Sequence, residues 1–319
     1  MIHIRVIAGV FAVLLVVPQG VGAQTVSPSP ALLPSATPAV VRETLANGLK
    51  VVLVPNHLAP VATTVLTYGV GSDDDPMPGT AHATEHMMFR GTGDVSAGQF
   101  ADLAARAGAE YDAQTSNTST LFYFKLPSTY VGLALRLEAD RMNGATIAPS
   151  AWATERGAIE QEVRADQSVP GWSIGVKVRH AFFGNSPYAD GALGTIDSFD
   201  KMTATDIQHF YKTWYHANDA TLVIAGDIDP AATMAQIHQL FDPIPSVPLP
   251  THKTGSIAPL IAATIAGGVA ELPVPVAGLA YRFPSLADPD YAASEVLVAA
   301  LDSSRGPFMD LVASGQLLG

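Results

Sequence analysis

The sequence contains no cysteine, so no disulfide can stabilise it even in an oxidising compartment. Basic residues are also scarce: 17 Lys and Arg stand against 29 Asp and Glu, which sets the formal net charge at −12. Because Lys and Arg form no cluster, we expect neither nucleic acid nor an anionic membrane as a partner. Stability must come from burial, and a chain of 319 residues with 48% apolar residues can build a large core.

The N-terminus lacks an apolar run long enough to cross a membrane. Its apolar stretch extends from Val6 to Val17, whereas a spanning helix needs about 20 such residues. Arg5 precedes the stretch and small residues follow it, so residues 1–23 have the pattern of a secretory signal, with a membrane anchor as the alternative. No Cys follows for lipid attachment. We therefore expect export, to the bacterial periplasm, without stable membrane insertion after signal cleavage.

Proline-rich stretches divide the rest of the chain. Residues 24–40 are rich in Pro, Ser and Ala and predict an extended lead-in. Strand and helix patterns joined by short links alternate through residues 41–242. A second group of prolines predicts a linker at residues 243–260. Residues 261–319 contain a strand pattern at 269–283 followed by a helix pattern at 291–301.

The most informative segment begins at Gly79 and contains His-x-x-Glu-His, a zinc-peptidase signature in inverted order. On a helix, His82 and His86 lie one turn apart on the same face, so both imidazoles can reach one metal ion. Glu85 lies beside them and can accept a proton from a water activated by the metal, as amide hydrolysis requires. The alternative is an amphipathic helix with a solvated His-Glu-His face.

A catalytic zinc site takes about three protein ligands, so a third donor must come from another segment. Residues 149–166 predict a helix, because Pro and Ser begin the segment and apolar residues recur at helical spacing. Glu155 and Glu162 lie two turns apart on one stripe, which suits one metal ligand and one supporting carboxylate, whereas Glu160 points away from both. The alternative is a surface helix rich in acids and bases.

The segment Gly79–Thr92 resembles the pattern Gly-x-Ala-His-x-x-Glu-His-Met-x-Phe-x-Gly-Thr of the inverted-motif zinc peptidases. That family includes pitrilysin, insulinase (the insulin-degrading enzyme) and the mitochondrial processing peptidases. Its third ligand is a Glu in a segment similar to Glu-Arg-x-x-x-x-x-Glu, at the same distance from the second His as Glu162 lies from His86. The resemblance therefore implies Zn²⁺ as cofactor, with the following roles: ligands His82, His86 and Glu162, general base Glu85, and supporting carboxylate Glu155.

The resemblance extends from about residue 41 to the C-terminus, and it includes a first hairpin with Asn47-Gly48 as its turn. It implies an α+β fold: a mixed, mostly antiparallel sheet with helices packed on one face, forming a catalytic domain in residues 41–242. The start of a second, homologous domain without metal ligands would follow in residues 261–319. Because only part of that domain is present, we expect either a fragment or a homodimeric or heterodimeric partner that supplies the second half.

Residues Tyr111–Phe124 are rich in Thr and aromatic residues and predict two short strands or one irregular edge. An unpaired edge can bind an extended peptide as an additional strand; the alternative is an internal hairpin. In the family this edge grips the substrate backbone through Asn-Ala, which is Asp112-Ala113 here. An ionised carboxylate only accepts hydrogen bonds, so the substitution changes what this position offers a substrate.

Several weaker signals have alternatives. Residues 71–76 contain three consecutive acids, which we interpret as a solvated loop rather than a calcium site. Residues 91–94 predict the end of a helix rather than a phosphate loop. Three histidines without a partner at ligand spacing are predicted to be structural: His180, His209 and His216.

These observations predict a zinc-dependent metalloendopeptidase that hydrolyses peptides or unfolded polypeptide segments. One alternative is a non-catalytic subunit that binds peptides or assists assembly. Another is a truncated, inactive homologue that needs a partner chain. Non-catalytic subunits of the family typically lack part of the zinc set, so the presence of all four residues favours the enzyme: His82, Glu85, His86 and Glu162.

Overall fold

The computed structural model describes residues 40–184, 186–253 and 284–301, with a few isolated positions beyond. The chain forms two compact units, and residues 40–253 belong to the larger one. The predicted signal at 1–23, most of the lead-in and the strand predicted at 269–283 lie outside the described residues. Within the described ranges, no helix combines the length and the apolar character needed to cross a membrane.

The larger unit is built on one six-stranded sheet. Its strands are β1 (Val41–Thr44), β2 (Lys50–Pro55), β3 (Val61–Tyr68), β4 (Glu110–Thr115), β5 (Thr120–Pro127) and β6 (Ala220–Gly226). Their order across the sheet is β1-β2-β6-β3-β5-β4. Only the β2–β6 pair is parallel, and the other four pairs are antiparallel. The predicted α+β class with a mixed, mostly antiparallel sheet is therefore confirmed.

One face of the sheet forms the core. Along β3, Ala62, Leu66 and Tyr68 are buried while the alternate residues remain partly exposed. This period of two is what a strand with one covered face requires. The buried residues of neighbouring strands lie at the same level; Leu66, for example, is opposite Phe122 on β5 and Leu222 on β6. These side chains form a single cluster with apolar residues of the helices.

Among the described residues of the larger unit there are eight α-helices. They are α1 (Thr80–Met87), α2 (Ala97–Arg106), α3 (Val131–Gly144), α4 (Pro149–Gln167), α5 (Trp172–Phe183), α6 (Ile196–Lys201), α7 (Ala204–Trp214) and α8 (Pro230–Phe241). α1 packs against α4, α7 and β4, whereas α3 packs against α8 and the central strands. The helix predicted from Pro149 is thus present and lies beside the helix that carries the His-x-x-Glu-His motif. In the smaller unit, the described helix is α9 (Tyr291–Leu301), as its pattern predicted.

The predicted Asn47-Gly48 turn joins β1 to β2. Gly48 has φ +92°, and a Cβ there would lie 2.7 Å from the Cβ of Asn218, so a larger residue is excluded both by conformation and by space. The Asn47 amide donates to the carbonyl oxygens of Phe241 and Ile244 at 2.8 and 2.9 Å. This turn therefore also holds the end of α8 against the sheet.

A buried ion pair stabilises the end of α1. The Arg141 guanidinium donates to the Glu138 carboxylate at 2.5 Å, and both side chains lie inside the core. The guanidinium carbon lies 4.1 Å from the ring centre of Phe122 and 4.8 Å from that of Phe89, two residues beyond α1. Cation–π contacts of this kind are strongest when desolvated. Arg141 therefore holds Phe89 and the segment that follows α1 in place.

The acidic loop before α1 is not solvated, and that expectation was wrong. Asp73 and Asp74 are only 5% and 6% exposed. Asp74 accepts from His252 Nδ1 and from the Lys253 amide, both at 2.8 Å. Asp75 accepts from the first backbone N–H groups of α1, those of Gly79, Thr80 and Ala81, at 2.7 to 3.1 Å. Two of the three acids therefore tie the linker and the motif helix to this loop.

The His252–Asp74 contact predicts a pH dependence of stability. Burial lowers the pKa of His252, but the hydrogen bond that the ring donates to Asp74 and the charges of Asp74 and Asp219 outweigh burial and raise the pKa above its usual value. A raised folded pKa stabilises the protein below the unfolded pKa of about 6.5, and this stabilisation is lost as pH rises through the folded pKa. We expect His252→Gln to lower the urea midpoint more at about pH 6 than at about pH 9, on the two sides of the usual His pKa.

That comparison is made by urea titration in the presence of a chelator, so that metal binding does not contribute. Wild-type protein at both pH values is the control, because every other titrating group is common to the two proteins. An equal loss of stability at the two pH values would contradict the prediction.

Candidate metal centre

Helix α1 presents both motif histidines toward one point. Their ring centres are 4.8 Å apart and their planes are nearly perpendicular. The helix begins after Gly79, whose φ of +84° is left-handed, and Asp75 satisfies its first amides. The start of the helix is thus set by one glycine and one carboxylate.

Hydrogen bonds donated by the Nδ1 atoms determine which histidine nitrogens face the site. His82 Nδ1 lies 3.0 Å from the carbonyl oxygen of Leu193, and His86 Nδ1 lies 2.9 Å from Oε1 of Glu155. A carbonyl or a carboxylate can only accept, so both Nδ1 atoms carry the proton. Nε2 of each ring is therefore the atom that can bind a metal, once it has lost its proton.

Glu162 offers a third candidate donor atom. Its Oε2 lies 3.6 Å from His82 Nε2 and 3.5 Å from His86 Nε2. Tetrahedral zinc with bonds of about 2.0–2.1 Å places its ligand atoms about 3.3 Å apart, so the spacing fits that ion. Two imidazoles and one carboxylate also leave a fourth position for water or substrate. Within the described ranges, one group of His, Asp and Glu residues can hold a metal, and it is this one.

Charge and burial around these ligands act in opposite directions. Hydrogen bonds from His82 and His86 hold the pKa of Glu162 well below its usual range. Burial lowers the pKa of His86, but its hydrogen bonds with Glu155 and Glu162 outweigh burial and raise it to about 9. The Glu162 carboxylate is therefore ionised, as a metal ligand must be.

Glu85 lies beside this cluster and is 7% exposed. Burial raises its pKa, while the hydrogen bond from Thr115 and the two histidines oppose that rise. The Thr115 hydroxyl donates to Glu85 Oε2 at 2.5 Å. Oε1 is the oxygen left to exchange a proton with a reacting group.

His82, Glu85 and Glu162 border an open cleft of about 220 Å³. It is lined by His82, Glu85, Ala113, Gln114, Thr115, Glu162, Ala192 and Leu193. Ala113, predicted to contact substrate, is part of this lining, whereas Asp112 is exposed and lies outside it. The Ala113 amide donates to the Asp112 carboxylate at 2.9 Å. A role of Asp112 in substrate binding stays a prediction.

Two glycines bring the Leu193 carbonyl to His82. Gly194 has φ +81°, and a Cβ there would lie 2.7 Å from the Cα of Gly79 and 2.6 Å from the Phe199 ring. The backbone at Gly194 therefore packs directly on the start of α1. Sequence analysis did not identify Leu193, because a backbone carbonyl has no residue signature.

Sequence analysis also left Arg90 and Thr115 without a role, although both lie inside the quoted motifs. Arg90 Nη2 contacts Oε2 of Glu155, whose other oxygen binds His86. The chain Arg90–Glu155–His86 thus orients one ligand of the cluster. Arg90 lies four residues after His86 in the sequence, and that spacing was the available signal although α1 ends at Met87.

The three histidines predicted to be structural lie outside the group of candidate metal ligands. His216 Nε2 bonds to the carbonyl of Lys212 at 2.7 Å, and His180 lies 3.5 Å from Asp190. His209 is exposed on α7. The structural roles predicted for these histidines stay predictions.

Arg90→Ala is expected to weaken zinc binding roughly 10- to 100-fold, the usual effect of losing a partner that orients a metal ligand. The reason is that Glu155 would lose its cation and hold His86 less firmly. The measurement is competition with a chromogenic chelator. Arg90→Lys should recover part of the zinc affinity. The control is Arg106→Ala: Arg106 forms an exposed ion pair with Asp102 on α2, so its loss should leave the affinity unchanged. Equal affinities of wild type and Arg90→Ala would refute this role.

Two models of a single peptidase family match the chain. The model described as Insulinase (Peptidase family M16) matches residues 50–195, and the model described as Peptidase M16 inactive domain matches residues 201–317. Together they cover most of the chain. The chain therefore belongs to peptidase family M16, the insulinase family, as the motif resemblance predicted.

Relatives and solved structures agree with this membership. An uncharacterized zinc protease of Streptomyces coelicolor is 29% identical over 203 residues, 63% of this chain and 44% of that protein. A probable mitochondrial-processing peptidase subunit beta of Arabidopsis thaliana is 28% identical over 270 residues, 82% of this chain and 50% of that protein. The crystal structure of the first half of the periplasmic protease PqqL from Escherichia coli has a TM-score of 0.65 and 25% identity, covering 69% of this chain and 49% of that one. The chain thus spans half or less of the length of these curated relatives.

Proposed function

We propose that the protein is a zinc-dependent metalloendopeptidase that hydrolyses peptides or unfolded polypeptide segments. The observation that carries this proposal is the convergence of His82 Nε2, His86 Nε2 and Glu162 Oε2 on one point beside the buried Glu85 carboxylate. Similar proteins, such as the one from Streptomyces coelicolor, are named zinc proteases, which supports the same conclusion. Two neutral imidazoles and one carboxylate are a donor set that catalytic zinc uses.

Each residue of the site has a distinct task in this proposal. Zinc held by His82, His86 and Glu162 would polarise the scissile carbonyl and lower the pKa of a water molecule. Glu85 Oε1 would accept the proton that this water loses, and it would then donate the proton to the leaving nitrogen. Leu193 and Glu155 would keep the two histidines in the tautomer that leaves Nε2 free.

The position of β4 supports an extended peptide as the substrate. β4 is the last strand in the sheet order, and its residues Ala113 to Thr115 line the cleft next to Glu85. A peptide added to that edge would make main-chain hydrogen bonds, which are independent of sequence. Many unfolded segments would therefore bind.

Location and partners follow from the same proposal. Export to the bacterial periplasm is supported by the signal pattern in residues 1–23 and by PqqL, a similar protein that is called periplasmic. Residues 201–317 match the inactive-domain model. We therefore propose that a second half, in the same polypeptide or in a homodimeric or heterodimeric partner, encloses the substrate.

Metal analysis combined with a cleavage assay tests the proposed function. The purified chain is assayed for bound zinc and for cleavage of an unfolded, fluorescently labelled polypeptide, with and without a chelator. Cleavage that stops on chelation and returns with zinc is the expected result. Bound zinc without cleavage, alone or with candidate partner chains, would favour a non-catalytic subunit and overturn the proposal.

A further inference from the structure

One hydrogen bond connects Glu85, the proposed general base, to β4, the last strand of the sheet. Thr115, the last residue of β4, donates its hydroxyl proton to Glu85 Oε2 at 2.5 Å. Glu85 is almost fully buried, so this donor replaces the water that would otherwise solvate the carboxylate. A short bond between a neutral hydroxyl and a buried carboxylate belongs to the stronger class of hydrogen bonds.

Thr115 is held in place independently of Glu85. The turn that follows it is closed by a bond from the Ser116 amide to the Ser119 carbonyl at 2.8 Å. The carbonyls of Ser116 and Asn117 in turn accept the amides of Ser72 and Asp73 at 3.0 and 2.8 Å. The turn is therefore bonded on two sides, to β5 and to the loop after β3.

Close packing makes this attachment tight. A Cβ on Gly71 would lie 2.3 Å from the Ser116 carbonyl oxygen, so that only glycine permits the approach. Thr115 is also β-branched, which restricts its χ1 angle in a strand. Backbone and side chain of Thr115 thus form a rigid donor.

The same bond persists through a proton transfer. When Glu85 is ionised, Oε2 accepts from Thr115 and Oε1 is available to take a proton. After Oε1 is protonated, Oε2 is a carbonyl oxygen and still accepts from Thr115. The carboxyl plane therefore need not turn between the two halves of the reaction.

We propose that Thr115 is a positioning residue for the general base: its hydroxyl fixes the Glu85 carboxyl group so that Oε1 faces the reacting atoms, and it links that orientation to the substrate-binding edge strand. This inference rests on the proposed function. It adds a residue whose role is to orient the base rather than to touch the reacting atoms.

Substitutions of Thr115 by valine and by serine test the role of its hydroxyl group separately from the role of its branched shape. Thr115→Val keeps the branched shape but removes the donor, and we expect kcat to fall at least about tenfold, because an unoriented base transfers protons poorly. KM and zinc content should stay within about twofold, since no ligand or main-chain group changes. Thr115→Ser keeps the donor and should restore most of kcat. Thr118→Val, at an exposed position of the same turn, is the matched control.

A second measurement needs no turnover. In the chelated protein, the unfolding free energies of Thr115→Val, Glu85→Ala and the double variant form a cycle. Directly bonded partners should be coupled, so that the double variant is more stable than the sum of the single effects predicts, by roughly fivefold in the unfolding equilibrium constant.

These outcomes separate the inference from the proposed function. Wild-type turnover with an unchanged kcat in Thr115→Val would overturn the role of Thr115 and leave the peptidase proposal intact. Absence of wild-type turnover, both alone and with candidate partner chains, would overturn the peptidase proposal. The cycle would then decide alone: coupling supports the orientation of Glu85 by Thr115, and additivity overturns it.

Discussion

Glu85→Gln is expected to retain zinc and to lose hydrolysis, with turnover reduced about 10²- to 10⁴-fold, the usual contribution of a positioned general base. Glutamine has the same size, and its amide oxygen can still accept from Thr115, so the fold and the ligand cluster should persist. The amide cannot take up the proton that the attacking water loses. The measurements are zinc content of the purified variant and single-turnover cleavage of a labelled polypeptide.

The matched control for this change is Glu160→Gln on α4. Glu160 pairs with Arg156 and Arg164 on the surface of that helix and takes no part in the cleft. Its variant should cleave at the wild-type rate. Turnover by Glu85→Gln within about tenfold of the wild-type rate would show that another group acts as the base.

Glu162→Ala is expected to lose metal binding by more than the roughly 10- to 100-fold that removal of an orienting partner causes. Glu162 Oε2 is one of three converging donor atoms, and its loss leaves two imidazoles on one helical turn. Stability without metal should fall only slightly, because the interaction of Glu162 with the two histidines is lost but half of its side chain is exposed and screened by solvent. Chelator competition gives the affinity, and urea titration of the chelated protein gives the stability.

Glu160→Ala, two residues away on the same helix, is the control for helix propensity and charge. It should bind zinc as the wild type does. If Glu162→Ala binds zinc with unchanged affinity, Glu162 is not a ligand, and the third donor must come from another residue.

The fold could be predicted where local signals and burial agree. The Asn47-Gly48 turn, the alternation along β3 and the helix from Pro149 each depend on residues that are close in sequence. Helix α7 is a further case, since the Thr203–Asp206 capping box that opens it is visible in four residues. The parallel pairing of β2 with β6 was not predicted, because it joins segments far apart in the chain and follows no local pattern.

The acidic loop was misjudged for a related reason. Three consecutive Asp residues in residues 71–76 are typical of a solvated loop. Their burial depends on His252 and Lys253, which approach from the linker, and on the amides of α1. Sequence composition describes a segment alone, whereas the burial of a charge depends on the partners that the fold supplies.

The sequence by itself located the candidate ligands, and the resemblance to the family selected Glu162 rather than Glu155 as the third one. Spacing of four along one helix and of seven along another places His82, His86 and the two glutamates on defined helical faces, and helical periodicity is a local property of the chain. Only the tertiary structure decided how these faces meet. The contact of Gly194 with Gly79 brings the Leu193 carbonyl to His82, the Arg90–Glu155 pair orients His86, and the β4–β5 turn carries Thr115 to Glu85. These contacts depend on close approach between distant segments, which residue spacing does not encode.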